Sequence, residues 1–294
     1  MHSVLYQTEP DVQVLVHSQY PEGDARGEVI LVHGLEGSSV SGYALSMAFA
    51  ALERGWAVHR FNMRGCGGTE HLALMSYHGG QTSDLLHVLR ERRRLSGAPV
   101  YLAGYSLGAN VALKLAGELG EDAAGLLAGV CAVSAPIDLG ICAAALGRPG
   151  NFLYQNRFLG RLKERIRRKN MLAPDVYTLE HLPKVNSIVD FDDYYTARLF
   201  GFGTAADYFR TQSSNQYLER IRVPTLLVQA KDDPLIPFSV YGHPGVSANP
   251  RIQLVAVKHG GHLGFISREK PRFWIDDVLM DWLEGNNLRP SRVS

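Results

Sequence analysis

Six short runs of apolar, largely β-branched residues punctuate the chain, and most of them break off into glycine. They read EVILVH (28–33, then GLEG), WAVHRFNM (56–63, then RGCGG), PVYLA (99–103, then GYSLG), GVCAVS (129–134, then Ala135-Pro136), PTLLVQA (224–230, then KDDP) and IQLVAVK (252–258, then HGGH). Each is bounded by turn residues and apolar on both faces, which is how a parallel strand buried between two helix layers reads. Helix-length segments lie between them. Segment 42–54 is apolar on a broad face, and 81–95 gathers Leu85, Leu86 and Leu89 with arginines opposite. Segments 107–119 and 271–283 complete the set. The last carries Trp274, Val278 and Trp282 at i, i+4, i+8, with Pro271 at a permitted helix start. Strand and helix alternate, so the expected class is α/β with a mostly parallel central sheet flanked by helices.

The alternation stops after Pro136 and resumes at Pro224. The 87 residues 137–223 are too many for a structureless loop in a compact domain. They include a basic segment, RLKERIRRKN (161–170), and an aromatic one, FDDYYTARLFGF (191–202). The expectation is a core domain of 1–136 and 224–294 with a mostly helical cap inserted at 137–223.

Composition closes off other classes. The 294 residues are 46% hydrophobic and 20% charged, which excludes a disordered chain, a fibrous repeat and a membrane bundle. Lys and Arg total 30 against 29 Asp and Glu, a formal charge of +1, without the basic surplus of a nucleic-acid binder. The basic run 161–170 reads as the solvated face of a cap helix. Cys66, Cys131 and Cys142 are odd in number and scattered, which argues for a reducing compartment and against a disulfide frame or zinc knuckle. The N-terminus shows no secretory pattern, and the longest nearly apolar stretch, 126–137, falls short of the about 20 residues a membrane span needs. A cytoplasmic protein without an integral membrane segment is expected. Its 30 glycines, about a tenth of the chain, exceed the usual ~7% and gather where strands end.

One such strand end is Gly104-Tyr105-Ser106-Leu107-Gly108, a GxSxG. A chance match in such a chain has odds of roughly 0.2, so the pattern alone is weak. Its setting is informative: it follows the strand PVYLA and opens the helix LGANVALKLAGEL, the strand–turn–helix arrangement of a nucleophile elbow. A serine nucleophile needs a base and an orienting acid, which on such a fold follow in the order Ser, Asp or Glu, His. Asp233 in KDDPLIP is assigned as the acid, with Asp232 as the alternative. His262 in KHGGHLGF is assigned as the base, and His259 as an ordinary strand-end residue. An HxxH pair without a third ligand is a weak metal signal, so no metal is expected. The oxyanion donors are assigned to the backbone amides of Leu107 and of Leu35 in the loop HGLEG, with His33 bracing that loop by hydrogen bonding. Phe191, Tyr194, Tyr195, Phe200 and Phe202 either line an acyl pocket or form the cap's own small core. Ser213 and Ser214 receive no role.

Taken in order, HGLEG, NMRGCGG, GYSLGAN, KDDPLIP and HGGHLGF resemble the α/β-hydrolase superfamily, specifically its YheT-like esterase branch. FDDYYTARLFGF and DYFRTQSSNQYLERIRVPTLL resemble it too, so the likeness spans roughly 28–283. It implies Ser106 as nucleophile, Asp233 as acid, His262 as base, and hydrolysis of carboxylic esters with no cofactor. The substrate expected is a small-molecule ester, with an apolar acyl chain if the cap aromatics line its pocket. Thioesterase, lipase or phospholipase action, or a non-catalytic binding protein on the same fold, are the alternatives. Only 27 residues precede EVILVHG, a shorter N-terminal extension than is usual in that branch, and they show no membrane anchor.

Overall fold

A computed structural model describes residues 1–268 and 272–285. Eight strands form one sheet in the order β1-β2-β4-β3-β5-β6-β7-β8. They are β1 (His2–Glu9), β2 (Val12–Gln19), β3 (Glu28–Val32), β4 (Ala57–Phe61), β5 (Val100–Tyr105), β6 (Gly129–Val133), β7 (Thr225–Ala230) and β8 (Ile252–Val257). From β4 to β8 every pairing is parallel, and β1 and β2 add an antiparallel hairpin at one edge. The six apolar runs are the six parallel strands. The hairpin was not anticipated, although Val12, Val14 and Val16 alternate inward along β2.

Strands β3 to β7 are buried at every position except the half-buried Tyr101, for the reason their sequences suggest: alternate residues enter two different cores. Val29, Leu31, Ala103, Cys131 and Val228 face α1 (Gly42–Glu53) and α10 (Trp274–Leu283). Ile30, Val32, Leu102, Ala132 and Leu227 face α2 (Ser83–Leu95) and α3 (Leu107–Leu119). At about 25 cal/mol per Å² of apolar surface removed from water, such two-sided burial is the main driving term of the fold. Pro271, expected to open the last helix, lies outside the described residues; the helix itself begins at Trp274.

The second core continues without a break into segment 137–223. That segment holds α4 (Leu139–Leu146), α5 (Phe152–Leu172), α6 (Ile188–Phe191), α7 (Ala197–Leu199) and α8 (Ala205–Gln212), and no strand among the described residues. A π-helical turn, Asp192–Thr196, links α6 to α7. Asn110, from the GYSLGAN run, ties this segment to the sheet. Its amide donates to the carbonyls of Gly79 (2.8 Å) and Gln212 (3.0 Å) and accepts from the amide of Ser214 (2.8 Å). The basic run is not a uniformly solvated face. Arg161, Arg167 and Arg168 are exposed, but Arg165 and Lys169 are buried, and Lys169 donates to the carbonyls of Glu70, Ala73 and Leu74. The three cysteines are free and buried.

Candidate active site

The site grows from the turn between β5 and α3. Ser106 has φ 52° and ψ −123°, a conformation that costs a non-glycine residue on the order of 1–3 kcal/mol and needs surroundings that enforce it. Gly104 and Gly108 make it possible. A Cβ on Gly104 would lie 2.5 Å from both the Ala109 Cα and the Gly108 carbonyl oxygen, and one on Gly108 would lie 2.3 Å from the Val32 carbonyl oxygen. Only bare backbone lets α3 approach β3 and β5 so closely, and the serine side chain is thrust out of the turn.

Two further strand ends meet it. Asp233 follows β7, and His262 sits in the loop after β8. His262 Nε2 lies 3.0 Å from Ser106 Oγ, and its Nδ1 lies 2.9 Å from Asp233 Oδ2. The other Asp233 oxygen accepts from the amides of Leu235 (2.9 Å) and Ile236 (3.1 Å). The Asp233 side chain is fully buried, so those amides and the imidazole replace its water. Gln229, also buried, donates to Asp233 Oδ2 at 3.3 Å and stands 2.9 Å from the hydroxyl of Tyr241. This support was not anticipated. A glutamine facing inward from an otherwise apolar strand was its only sequence signal.

Asp232 and His259 form a second, outer pair, 3.1 Å apart. Asp232 also accepts from the amides of Gly260 (2.9 Å) and Gly261 (2.8 Å). Burial alone would raise its pKa, but these two amides and His259 hold it below the ordinary carboxylate value. It therefore braces the loop that carries His262. Among the described residues no three His, Cys, Asp or Glu side chains form a metal-binding group.

Opposite the elbow, residues 34–37 form a turn closed by the Gly37 amide donating to the Gly34 carbonyl (3.0 Å). His33 is 1% exposed, its Nδ1 lies 2.8 Å from the same carbonyl, and its Nε2 accepts from the Met63 amide at 3.1 Å. Burial pulls its pKa down to about 4, the Gly34 hydrogen bond opposing and the charge of Arg165 adding. The imidazole is therefore neutral, with its proton on Nδ1. A Cβ on Gly34 would come within 3.0 Å of the Ser106 Cβ, so this turn borders the serine directly. The Gly34 carbonyl points at His33 and Gly37. The Leu35 N–H, on the opposite side of the same peptide, points away from them. The amide of Leu107 opens α3 beside the serine.

Ser106, His262, Leu35 and Leu107 are among the residues that line a chamber of about 120 Å³. Its walls are mostly apolar, from α4 (Leu139, Leu146), α5 (Phe158, Leu162) and α6 (Ile188, Phe191). Of the aromatics considered for this pocket, Phe191 lines the chamber, and the other four do not. Tyr194 stacks on His181 at 5.0 Å, and Tyr195 stacks on Phe191 at 5.4 Å while donating to the Thr178 carbonyl. Phe200 and Phe202 pack on the ring of His78. Tyr194 and Tyr195 thus pack within segment 137–223, whereas Phe200 and Phe202 pack across to His78 of the core. Among the polar wall residues that went unread in the sequence are Arg165 and Asp192, whose carboxyl is pushed up to about 7 by burial against a Thr196 hydrogen bond and the charge of Arg165.

The family model described as the alpha/beta hydrolase fold matches residues 28–269. The chain is 36% identical over 275 residues to a protein of Escherichia coli (strain K12) named "Putative esterase YheT", covering 92% of this chain and 80% of that one. It is 30% identical over 270 residues to "Phospholipase ABHD3" of Mus musculus, covering 90% of this chain and 65% of that one. Among solved structures, a 2,6-dihydroxy-pseudo-oxynicotine hydrolase superposes with TM-score 0.63 at 21% identity, covering 98% of this chain and 69% of the other. The esterase Pf2001 of Pyrococcus furiosus superposes with TM-score 0.62 at 16% identity, covering 97% and 92%. At those identities the two structures speak to the fold. Among the described residues no helix is long and apolar enough to cross a membrane.

Proposed function

The chain belongs to the α/β-hydrolase superfamily, in its YheT-like branch, and from that premise we propose that it hydrolyses carboxylic esters through an acyl-enzyme formed on Ser106. The observation that carries the proposal is the unbroken line from Ser106 Oγ to His262 (3.0 Å) to Asp233 (2.9 Å), with Ser106 and His262 lining a mostly apolar chamber. A serine hydroxyl in reach of an imidazole, itself oriented by a buried carboxylate, is the arrangement that makes a neutral hydroxyl nucleophilic.

In this reading His262 Nε2 takes the Ser106 proton as Oγ attacks the ester carbonyl. Asp233 accepts the Nδ1–H, fixing the tautomer, and stabilises the imidazolium that forms. The negative charge on the carbonyl oxygen falls to the amides of Leu107 and Leu35. Removing one such donor from an oxyanion hole costs about 3 kcal/mol of transition-state stabilisation. His262 then protonates the leaving alcohol, and water, activated by the same imidazole, releases the acid. Segment 137–223 acts as a cap over the core of 1–136 and 224–294, and the acyl chain occupies the chamber beneath it.

Turnover of a series of nitrophenyl esters, from acetate to long acyl chains, tests the reaction class. Wild-type protein is expected to hydrolyse them, and Ser106→Ala to lose at least 10³-fold in kcat while keeping its circular-dichroism spectrum. Fluorophosphonate is expected to label wild type at Ser106 alone. Full activity in Ser106→Ala overturns Ser106 as the nucleophile, and an unlabelled, inactive wild type overturns the proposal in favour of a binding protein on this fold.

A further inference from the structure

The turn at 34–37 carries a residue in a conformation its side chain does not favour. Glu36 has φ 55°, in the left-handed region where glycine or asparagine is the usual occupant of a turn's third position. The Gly37-to-Gly34 hydrogen bond that closes this turn depends on that conformation, and the same bond sets the peptide whose N–H belongs to Leu35. Something must hold Glu36 there.

Each polar group of Glu36 is held from outside the turn. Its amide donates to the Tyr77 hydroxyl at 2.9 Å. Its carbonyl accepts from Arg161 Nη1 at 3.3 Å. Its carboxylate is ion-paired with Arg165 and accepts from the Tyr77 hydroxyl at 3.3 Å. Arg165 in turn donates to that hydroxyl at 3.1 Å, and its guanidinium lies 4.4 Å from the centre of the Tyr77 ring. The ion pair is buried, with side chains 8% and 9% exposed. Both arginines stand one helical turn apart on α5, which also contributes Phe158 and Leu162 to the chamber.

We propose that Arg165, through Glu36, is a positioning residue for the oxyanion site: α5 clamps the 34–37 turn, so the Leu35 amide is aimed at the reacting carbonyl only while the cap is docked. The proposal rests on the serine-hydrolase reading above and deepens it. It also accounts for an arginine in the wall of an apolar chamber. With its charge met by Glu36, Arg165 serves the turn and leaves the acyl space apolar. A clamp of this kind acts in the transition state, where charge builds on the carbonyl oxygen, and hardly at all on ground-state binding.

The test uses the full chain with nitrophenyl butyrate and an alkyl trifluoromethyl ketone, which forms a tetrahedral oxyanion adduct with an active serine. Arg165→Met and Glu36→Gln are each expected to lower kcat about 10- to 100-fold with KM changed less than about twofold, because a donor misaimed by about an ångström loses that much. The ketone is expected to bind the variants more weakly by the factor lost in kcat/KM. The double variant should fall no further than the worse single one, as for two residues acting as a unit. Arg165→Lys, which keeps the charge, is expected to recover part of the loss. If Arg165→Met fails to fold, Glu36→Ala takes its place with the same expectation, since it removes the carboxylate and keeps a Cβ that disfavours the positive φ. A folded Arg165→Met or Glu36→Ala with kcat within twofold of wild type, or with unchanged ketone affinity, overturns the clamp. A wild type without serine-dependent turnover overturns the serine-hydrolase reading itself, and the clamp with it.

Discussion

The glycines at the elbow cannot give way, because what a side chain would strike there is backbone. Gly104→Ala sets a methyl 2.5 Å from the Gly108 carbonyl, and Gly108→Ala sets one 2.4 Å from that of His33. Neither oxygen belongs to a flexible side chain, so α3 itself must shift away from β3 and β5. Each variant is expected to lose about 3 kcal/mol, the upper end of overpacking costs, and most of its esterase activity. Gly42→Ala, at the start of α1 with open space around the new methyl, should instead hold or slightly gain stability. Urea midpoints at constant slope separate the two outcomes. At this scale Ser106, Asp233 and His262 could be proposed in advance because each follows a strand of the parallel sheet, in a fixed order along the chain. Glu36 and Arg165 could not. A charged residue in a basic helical run looks solvated until a distant turn is folded against it, and the pairing spans 129 positions of chain.

Among the elements, the parallel strands were legible almost to the residue because each is a short, mostly apolar run between turn residues, even where Glu28, His59, Arg60 or Gln229 interrupts it. The β1-β2 hairpin was not. β1 is largely exposed, so little apolar patterning marks it, and β2 signals only by alternation. The 34–37 turn was legible as a loop braced by His33, and that brace has a pH signature. His33 is held neutral, with a pKa of about 4 against 6.5 for a free imidazole. Between those values the unfolded chain binds a proton that the folded one refuses, so stability falls as pH falls through this window and is fully present above it. The single group accounts for about 3 kcal/mol lost between pH 6.5 and pH 4. In urea unfolding at stepped pH, wild type should show that loss, and His33→Asn, weaker at neutral pH, should show correspondingly less of it. An unchanged slope in the variant would place the acid sensitivity elsewhere.

Across the whole molecule, the proposed reaction puts the ester carbon at the strand ends and the acyl chain against segment 137–223. The elbow, the His262 loop and the 34–37 turn are all built on strand ends, whereas Leu146, Leu162, Ile188 and Phe191 come from α4, α5 and α6. Chemistry and length selection are thus carried by different stretches of the chain and should be separable. Each methylene that finds apolar wall contributes about 0.8 kcal/mol, or about fourfold in kcat/KM, until the chamber is full. A nitrophenyl ester series should therefore climb with acyl length by roughly that factor per carbon and then break. Phe191→Ala removes a ring from the wall without touching Ser106, His262 or the oxyanion turn. It is expected to move the break to longer chains while leaving kcat for acetate, which does not reach that far, within about twofold. Leu146→Trp should move the break the other way. If both variants instead scale every ester down by one common factor, the chamber does not hold the acyl chain, and the apolar walls serve only to pack the cap onto the sheet.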